Sequence, residues 1–315
     1  VLDDENRSET YSARARLRGR RGDWTWRNEL AGNKARRIFR NSELAVFAAP
    51  GFVDRDQTLI THDQRYWSNR FDARRDATLG TMQNRFIAGA EYAETSFENL
   101  RRFSDGKPGT SALLRVPALF PTLNIYNFSP PIMTGGGNQA DNFAKVRTTS
   151  LFAENALKIT PKMTLVGGIR HDRTQVARSV ADLNLLTVTA FDTDYRATST
   201  RIGAVYDLTP NSSVYAQFSN AVLPVGSLAL LSAANSAFPL SKGRQLEVGF
   251  KQSLPDAGLE WTAAAYKIEM DNVLSRDPAN PNRTVNNGSQ SSRGIELSAA
   301  WRPSPVWSVS GKLAV

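Results

Sequence analysis

The chain has 315 residues, with 39 Lys and Arg against 30 Asp and Glu (net charge +9), 41% hydrophobic residues and a mean hydropathy of −0.38. It contains no cysteine, which excludes disulfides and thiolate metal sites. No apolar run approaches the ~18 residues that a transmembrane helix needs, so a helical membrane protein is excluded; strands that alternate their faces escape that test.

The first informative stretch is SARARLRGRRGDW at 12–24. Arg14, Arg16, Arg18 and Arg20 recur at every second position, with Tyr11, Ala13, Ala15 and Leu17 between them. A period of two is the wet face of a strand, not the basic face of a recognition helix. Nucleic acid is therefore not expected as a partner, although the isoelectric point is near 9.9. A tight turn follows at GRRGDW, and residues 40–62 read as a long irregular connection. Within it, LAVFAAPGFV is too short and proline-broken to cross a membrane as a helix. TLGTMQNRF at 78–86 forms a second tight turn, and residues 99–145 read as another long polar connection. Its triple glycine at 135–137 lacks the Gly-Lys-Ser/Thr tail of a phosphate loop.

From 148 onward the turns become regular. ALKITPKMTLVGGIRHD turns at Pro161, AVYDLTPNSSVYAQF at Pro210, VGFKQSLPDAGLEWTAAAY at Pro255, and LSAAWRPSPVWSVSG around Pro303. These turns are about 45 to 50 residues apart, and each joins two alternating segments. The intervening stretches 173–198, 220–242 and 270–292 read as long polar loops. Asp192 and Asp194 have calcium-like spacing within the first loop, without the other acidic ligands or the glycine turn of a calcium site.

Short turns thus alternate with long loops, which in an up-and-down meander puts all the short ones at one end. Outer-membrane barrels show this asymmetry. One face carries Leu165, Ile169, Ile202, Phe218, Leu246 and Val248; the alternates include Arg170, Asp172, Arg201, Gln217, Glu247 and Lys251. A face of Arg, Glu, Gln and Lys is not a packed core, so it reads as a watered lumen and the apolar face as lipid-facing. The expected fold is all-β, an antiparallel up-and-down transmembrane β-barrel segment covering residues 1–315 as one partial barrel domain.

Five segments occur in the order found in one family. SLFAENALKITPKMTLVGGIRHD, SVYAQFSNAVLPVGSL, KGRQLEVGFKQSL, WTAAAYKIEMDNVLSRDP and NNGSQSSRGIELSAAW resemble successive barrel strands of TonB-dependent outer-membrane receptors, most closely those for ferric siderophores. His171 stands where that family more often has Tyr. The resemblance implies about 12 of about 22 strands, with the plug domain, the TonB box and the last strands lying outside this sequence. It further implies a bacterial outer-membrane location, outer-membrane lipid around the barrel, a ferric siderophore as transported ligand, and TonB as partner through the missing N-terminal region. A receptor for cobalamin, haem or a glycan, or a passive porin, is the alternative.

Given that resemblance, ligand contacts are expected in or beside the long loops. Tyr66, Trp67, Arg101, Arg102, Phe103, Tyr126 and Phe128 supply aromatic and guanidinium groups suited to a planar anionic chelate, with Phe120 and Phe143 nearby. Arg14, Arg16, Arg18, Arg170 and Arg201 are expected to face the lumen, where carboxylates such as Asp72, Glu91, Asp172 and Asp207 favour salt bridging over ligand steering. Catalysis is not expected, because His62 and His171 are far apart in sequence and no nucleophile–base set converges. No cofactor and no metal site is implied. An isolated slice would leave two strand edges unpaired, so aggregation of the separated segment is expected.

Overall fold

Alternating segments joined by turns form a sheet when each strand finds its antiparallel neighbour. The computed structural model describes residues 4–41, 45–55, 58–103, 114–117, 139–223 and 228–315. The strands are β1 (Glu5–Arg21), β2 (Trp24–Asn41), β3 (Ala45–Ala49), β4 (Phe52–Arg55), β5 (Thr58–Leu79), β6 (Met82–Phe103), β7 (Leu114–Pro117) and β8 (Ala140–Lys158). They continue with β9 (Met163–Asp182), β10 (Thr187–Thr209), β11 (Ser212–Leu223), β12 (Ser241–Leu254), β13 (Leu259–Asp277), β14 (Asn280–Trp301) and β15 (Val309–Ala314). Twelve of them make one antiparallel sheet in the order β1-β2-β5-β6-β8-β9-β10-β11-β12-β13-β14-β15, so every neighbour in the sheet is the next long strand in the chain. This is the up-and-down meander expected from the turn rhythm. The short strands β3, β4 and β7 form a separate three-stranded sheet in which β4 pairs with β7. The connection after β2 is therefore partly strand, and it is tied to the one after β6.

The tight turns have local causes. Thr160 accepts backbone N–H bonds from Lys162 (3.3 Å) and Met163 (3.0 Å), closing the turn between β8 and β9. Between β12 and β13 the chain makes a 3-10 turn, Pro255–Ala257, and ends it at Gly258 with φ +61°. A Cβ at Gly258 would lie 2.1 Å from the Arg302 carbonyl oxygen, so left-handed geometry and close backbone approach both require glycine.

Two of the expected long loops are corrected. Residues 173–198 are mostly strand, because β9 and β10 stay paired up to Asp182 and Thr187, and the Asp182 carboxylate caps their turn by accepting N–H bonds from Asn184 and Leu185 (both 2.9 Å). Asp192 and Asp194 consequently sit on β10 instead of in a loop. Residues 270–292 behave likewise, with β13 and β14 joined by a turn at 278–279. The reason is physical: beyond the apolar belt both faces are polar, so hydrophobic alternation disappears while backbone pairing continues. A strand of 22 residues such as β5 extends roughly 70 Å, far more than a tilted crossing of ~10 residues needs.

No second layer covers the apolar face among the described residues. Ile169, Ile202, Leu246 and Ile295 are between 53% and 61% exposed, which no packed sandwich would allow. The compact apolar cluster lies on the opposite face instead. There Val176 and Tyr195 bury Leu231 of the segment between β11 and β12, which holds a short helix α1 (Ala233–Ser236). Tyr195 donates its hydroxyl to the Ser236 carbonyl (3.0 Å), fastening this segment over β8–β10 on the polar face.

Candidate functional site

The register puts alternate residues of neighbouring strands side by side, and on the polar face this creates two zones. In the middle of the sheet most of the arginines are neutralised. Arg14 and Arg16 on β1 reach Glu29 on β2 at 3.4 and 2.6 Å, and Arg27 reaches Asp72 at 2.7 Å. Arg18 stands opposite Arg27 and, among the described residues, has no carboxylate within ion-pair distance. Arg170 donates to Asp172 (2.9 Å), Ser150 (2.7 Å) and Glu91 (3.3 Å), and Arg70 covers the Phe152 ring at 4.6 Å. Arg201 pairs with Glu154. These groups form a hydrated polar wall whose charges answer one another.

At the loop end of the same face the balance changes. Arg37 and Phe39 on β2, His62 on β5, Phe97, Arg101 and Phe103 on β6, and Arg178 on β9 share one side of the sheet by register. Arg37 lies over Phe39 at 5.7 Å, Arg101 over Phe103 at 5.3 Å, and the His62 and Phe97 rings are 5.4 Å apart. Arg37 and Arg101 are both close enough to act electrostatically on His62, and Arg101 on Arg178. Among the described residues no carboxylate lies within ion-pair distance of Arg37, Arg101 or Arg178. Arg178 is anchored by neutral groups: it donates to the Leu231 carbonyl and to Asn142 Oδ1 (2.7 Å), while its Nε is buried without a partner. Asn142 in turn donates to the Asn99 carbonyl (3.2 Å), and Asn99 to that of Thr61 (3.1 Å). Three cations interleaved with three phenylalanines, without carboxylates against them, can take up an anion that also offers a flat face.

The residues expected from sequence divide. Arg101 and Phe103 belong to this cluster. Arg102, next in the strand, points to the other face and pairs with Asp141 at 2.6 Å. Tyr66 is on the polar face but four residues further down β5 than His62, within the strand and not beside a loop. Trp67 is on the apolar face, 44% exposed and packed against Tyr92 with ring centroids 5.1 Å apart. Phe143 also faces that side. Tyr126, Phe128 and Phe120 lie outside the described residues. Arg37, Phe39, Phe97 and Arg178 are not among the sequence expectations and His62 is weighed there only for catalysis, although carrying the phase of Arg27 along β2 to Arg37, and that of Arg170 along β9 to Arg178, reaches two of them.

Residues 2–315 match the family described as TonB dependent receptor-like, beta-barrel. The chain belongs to this family. Among curated relatives, the metal-pseudopaline receptor CntO of Pseudomonas aeruginosa PAO1 is 30% identical over 266 residues, covering 81% of this chain and 35% of the relative. The catecholate siderophore receptor Fiu of Escherichia coli K12 is 29% identical over 224 residues, covering 62% of this chain and 29% of that protein. The fold matches the crystal structure of the siderophore receptor PiuA from Acinetobacter baumannii with a TM-score of 0.75 at 19% identity, over 99% of this chain and 47% of that one. The chain thus spans about a third of the curated relatives' length and just under half of the solved receptor. As a barrel wall of the outer membrane, its apolar face meets lipid, its tight proline turns are periplasmic and the loop end is extracellular. The Arg–Phe cluster is then on the lumenal side near the extracellular mouth.

Proposed function

We propose that the full-length protein carrying this chain is an outer-membrane receptor that takes up ferric siderophores with energy supplied through TonB, and that it is not an enzyme. The observation that carries this reading is the contrast along the lumenal face. Arg16, Arg27, Arg170 and Arg201 lower on the wall are paired with carboxylates, whereas Arg37, Arg101 and Arg178 near the mouth are flanked by Phe39, Phe97 and Phe103 and have no described counter-ion. A cation beside an aromatic ring and without a carboxylate partner favours an anionic, partly planar chelate over a neutral sugar. The names of the relatives support the same class of ligand.

A second reading has its own support. The relative named as a receptor for metal-pseudopaline is not named for iron, so the chelated metal could differ while the anionic ligand is retained. The test restores the full-length gene to a receptor-deleted strain and follows uptake of radiolabelled iron and zinc chelates, with and without TonB. TonB-dependent uptake of a ferric siderophore establishes the first reading. TonB-dependent uptake of a non-iron chelate establishes the second, and TonB-independent leakage of small solutes would replace both with a porin.

A further inference from the structure

Buried polar side chains need hydrogen-bond partners, and beneath the loop-end cluster the partners are amides. Arg37, His62, Asn99 and Asn142 stand in one row across β2, β5, β6 and β8. The two amides are buried, Asn99 being 3% and Asn142 4% exposed. Asn99 donates from Nδ2 to the Thr61 carbonyl (3.1 Å), and its own carbonyl accepts from Asn142 Nδ2 (3.2 Å). Asn142 Oδ1 then accepts from an Arg178 terminal nitrogen at 2.7 Å. A guanidinium only donates and a carbonyl only accepts, so the orientation of the Asn142 amide is fixed by its neighbours. The position calls for a group that donates on one side and accepts on the other. Aspartate lacks the donor, and leucine lacks both.

The amide ladder has a consequence for charge. Both described acceptors of Arg178, Asn142 Oδ1 and the Leu231 carbonyl, are neutral. The carboxylates nearest in the register are engaged elsewhere: Asp141, on the other face, pairs with Arg102 at 2.6 Å, and Asp182 accepts the N–H groups of Asn184 and Leu185. Lower on the same strand the opposite solution is used, with Arg170 bonded to Asp172 at 2.9 Å. A carboxylate would fix a guanidinium and cancel its charge, whereas an amide fixes it and leaves the charge for a ligand. We propose that Asn142, backed by Asn99, is a positioning residue that sets ligand specificity: it holds the Arg178 guanidinium in the cluster without neutralising it, and so favours an anionic iron chelate over a neutral one. The inference rests on the ferric-siderophore reading and deepens it.

The test titrates the purified full-length receptor with two ferric complexes that differ in charge, a tris-catecholate trianion and a neutral tris-hydroxamate, read by quenching of tryptophan fluorescence. The unaltered receptor is expected to favour the trianion. N142D, which sets a carboxylate against Arg178, is expected to lower affinity for the trianion about tenfold and for the neutral complex by less than about twofold. R178Q is expected to do the same, and N142D/R178Q to bind no more weakly than R178Q alone, because Asn142 acts through Arg178. Amide exchange in 228–240 is expected to be unchanged in N142D, since Arg178 keeps its bond to the Leu231 carbonyl. Equal losses for both complexes in N142D, a further loss on adding N142D to R178Q, or an undiminished preference in R178Q would overturn the inference and leave the ferric-siderophore reading standing. So would equal affinity of the unaltered receptor for the two complexes. Binding of neither complex by the unaltered receptor would overturn that reading and the inference with it.

Discussion

Tyr215 on β11 lies flat across Gly249, its directly opposed partner on β12, so closely that a Cβ at Gly249 would meet the ring at 2.5 Å. The ring is held there by its hydroxyl, which donates to Glu247 at 2.6 Å, and by Lys251 over its face at 4.9 Å. Trp26 over Gly19 and Tyr266 over Gly294 repeat the arrangement on other strand pairs. An aromatic ring laid over a cross-strand glycine supplies the packing that glycine lacks and pins the register.

Replacing Gly249 with Val should therefore force the Tyr215 ring off its seat. Overpacking of this kind costs about 1–3 kcal/mol. The expected result is a lower thermal midpoint of the full-length barrel, seen as earlier loss of the compact, heat-modifiable band on a gel. G249V/Y215A should recover most of the loss, because the clash is removed with the ring. If G249V melts with the unaltered protein, the ring does not constrain that position.

In the loop-end cluster, Arg37→Gln and Arg101→Gln should each weaken binding of the transported chelate by about tenfold or more, since a hydrogen bond to a charged partner is worth ~1.5–3 kcal/mol. Arg16→Gln, whose guanidinium is occupied by Glu29 at 2.6 Å, should change affinity little. Titration of the purified full-length receptor with labelled ferric siderophore separates the two groups. Equal losses at Arg16 and Arg101 would remove the distinction between paired and unpaired arginines on which the site rests.

Much of this wall is legible in the sequence because a bilayer imposes a period of two. Ile169, Ile202 and Leu246 alternate with Arg170, Arg201 and Glu247, and that pattern alone assigns both faces. The pattern ends where the lipid ends. Arg173, Asp192 and Asp194 follow no hydrophobic rhythm, so the upper parts of β9 and β10 read as loop although their ladder is unbroken. The candidate site lies in that same polar zone, which is why Arg101 and Phe103 were found by residue type while Arg37 and Arg178 were passed over. Adjacent residues were also grouped although a strand sends them apart: Arg101 and Arg102, and Tyr66 and Trp67, end on opposite faces.

Leu231 fastens the segment between β11 and β12 to the lumenal wall, where it is 3% exposed against Val176 and Tyr195. Placing a carboxylate there would bury a charge among apolar groups with no described cation to pair it except Arg178, whose contact is with the Leu231 backbone. Leu231→Asp should therefore release the segment without unfolding the sheet. Amide exchange in 228–240 is expected to quicken at least tenfold while β9 and β10 stay protected. Unchanged protection in 228–240 would show that the hydrogen bonds from Tyr195 and Arg178 suffice to hold it.

The lipid-facing assignment makes a sharper demand on neighbouring positions. Ile169 is 53% exposed in the apolar belt, opposite Thr200 and Ala153, while Ser199, opposite Arg170, has the lumenal phase. An arginine facing lipid near the bilayer midplane costs about 2–4 kcal/mol, whereas one facing a watered lumen costs little. Ile169→Arg should accordingly lower the folding free energy of the full-length protein in phospholipid vesicles by about that much, and Ser199→Arg should leave it nearly unchanged. The comparison is informative because the two sites are on adjacent strands at almost the same height, so differences in local strand pairing cancel. Equal destabilisation at both sites, or a larger effect at Ser199, would mean that the apolar side of this sheet does not face lipid.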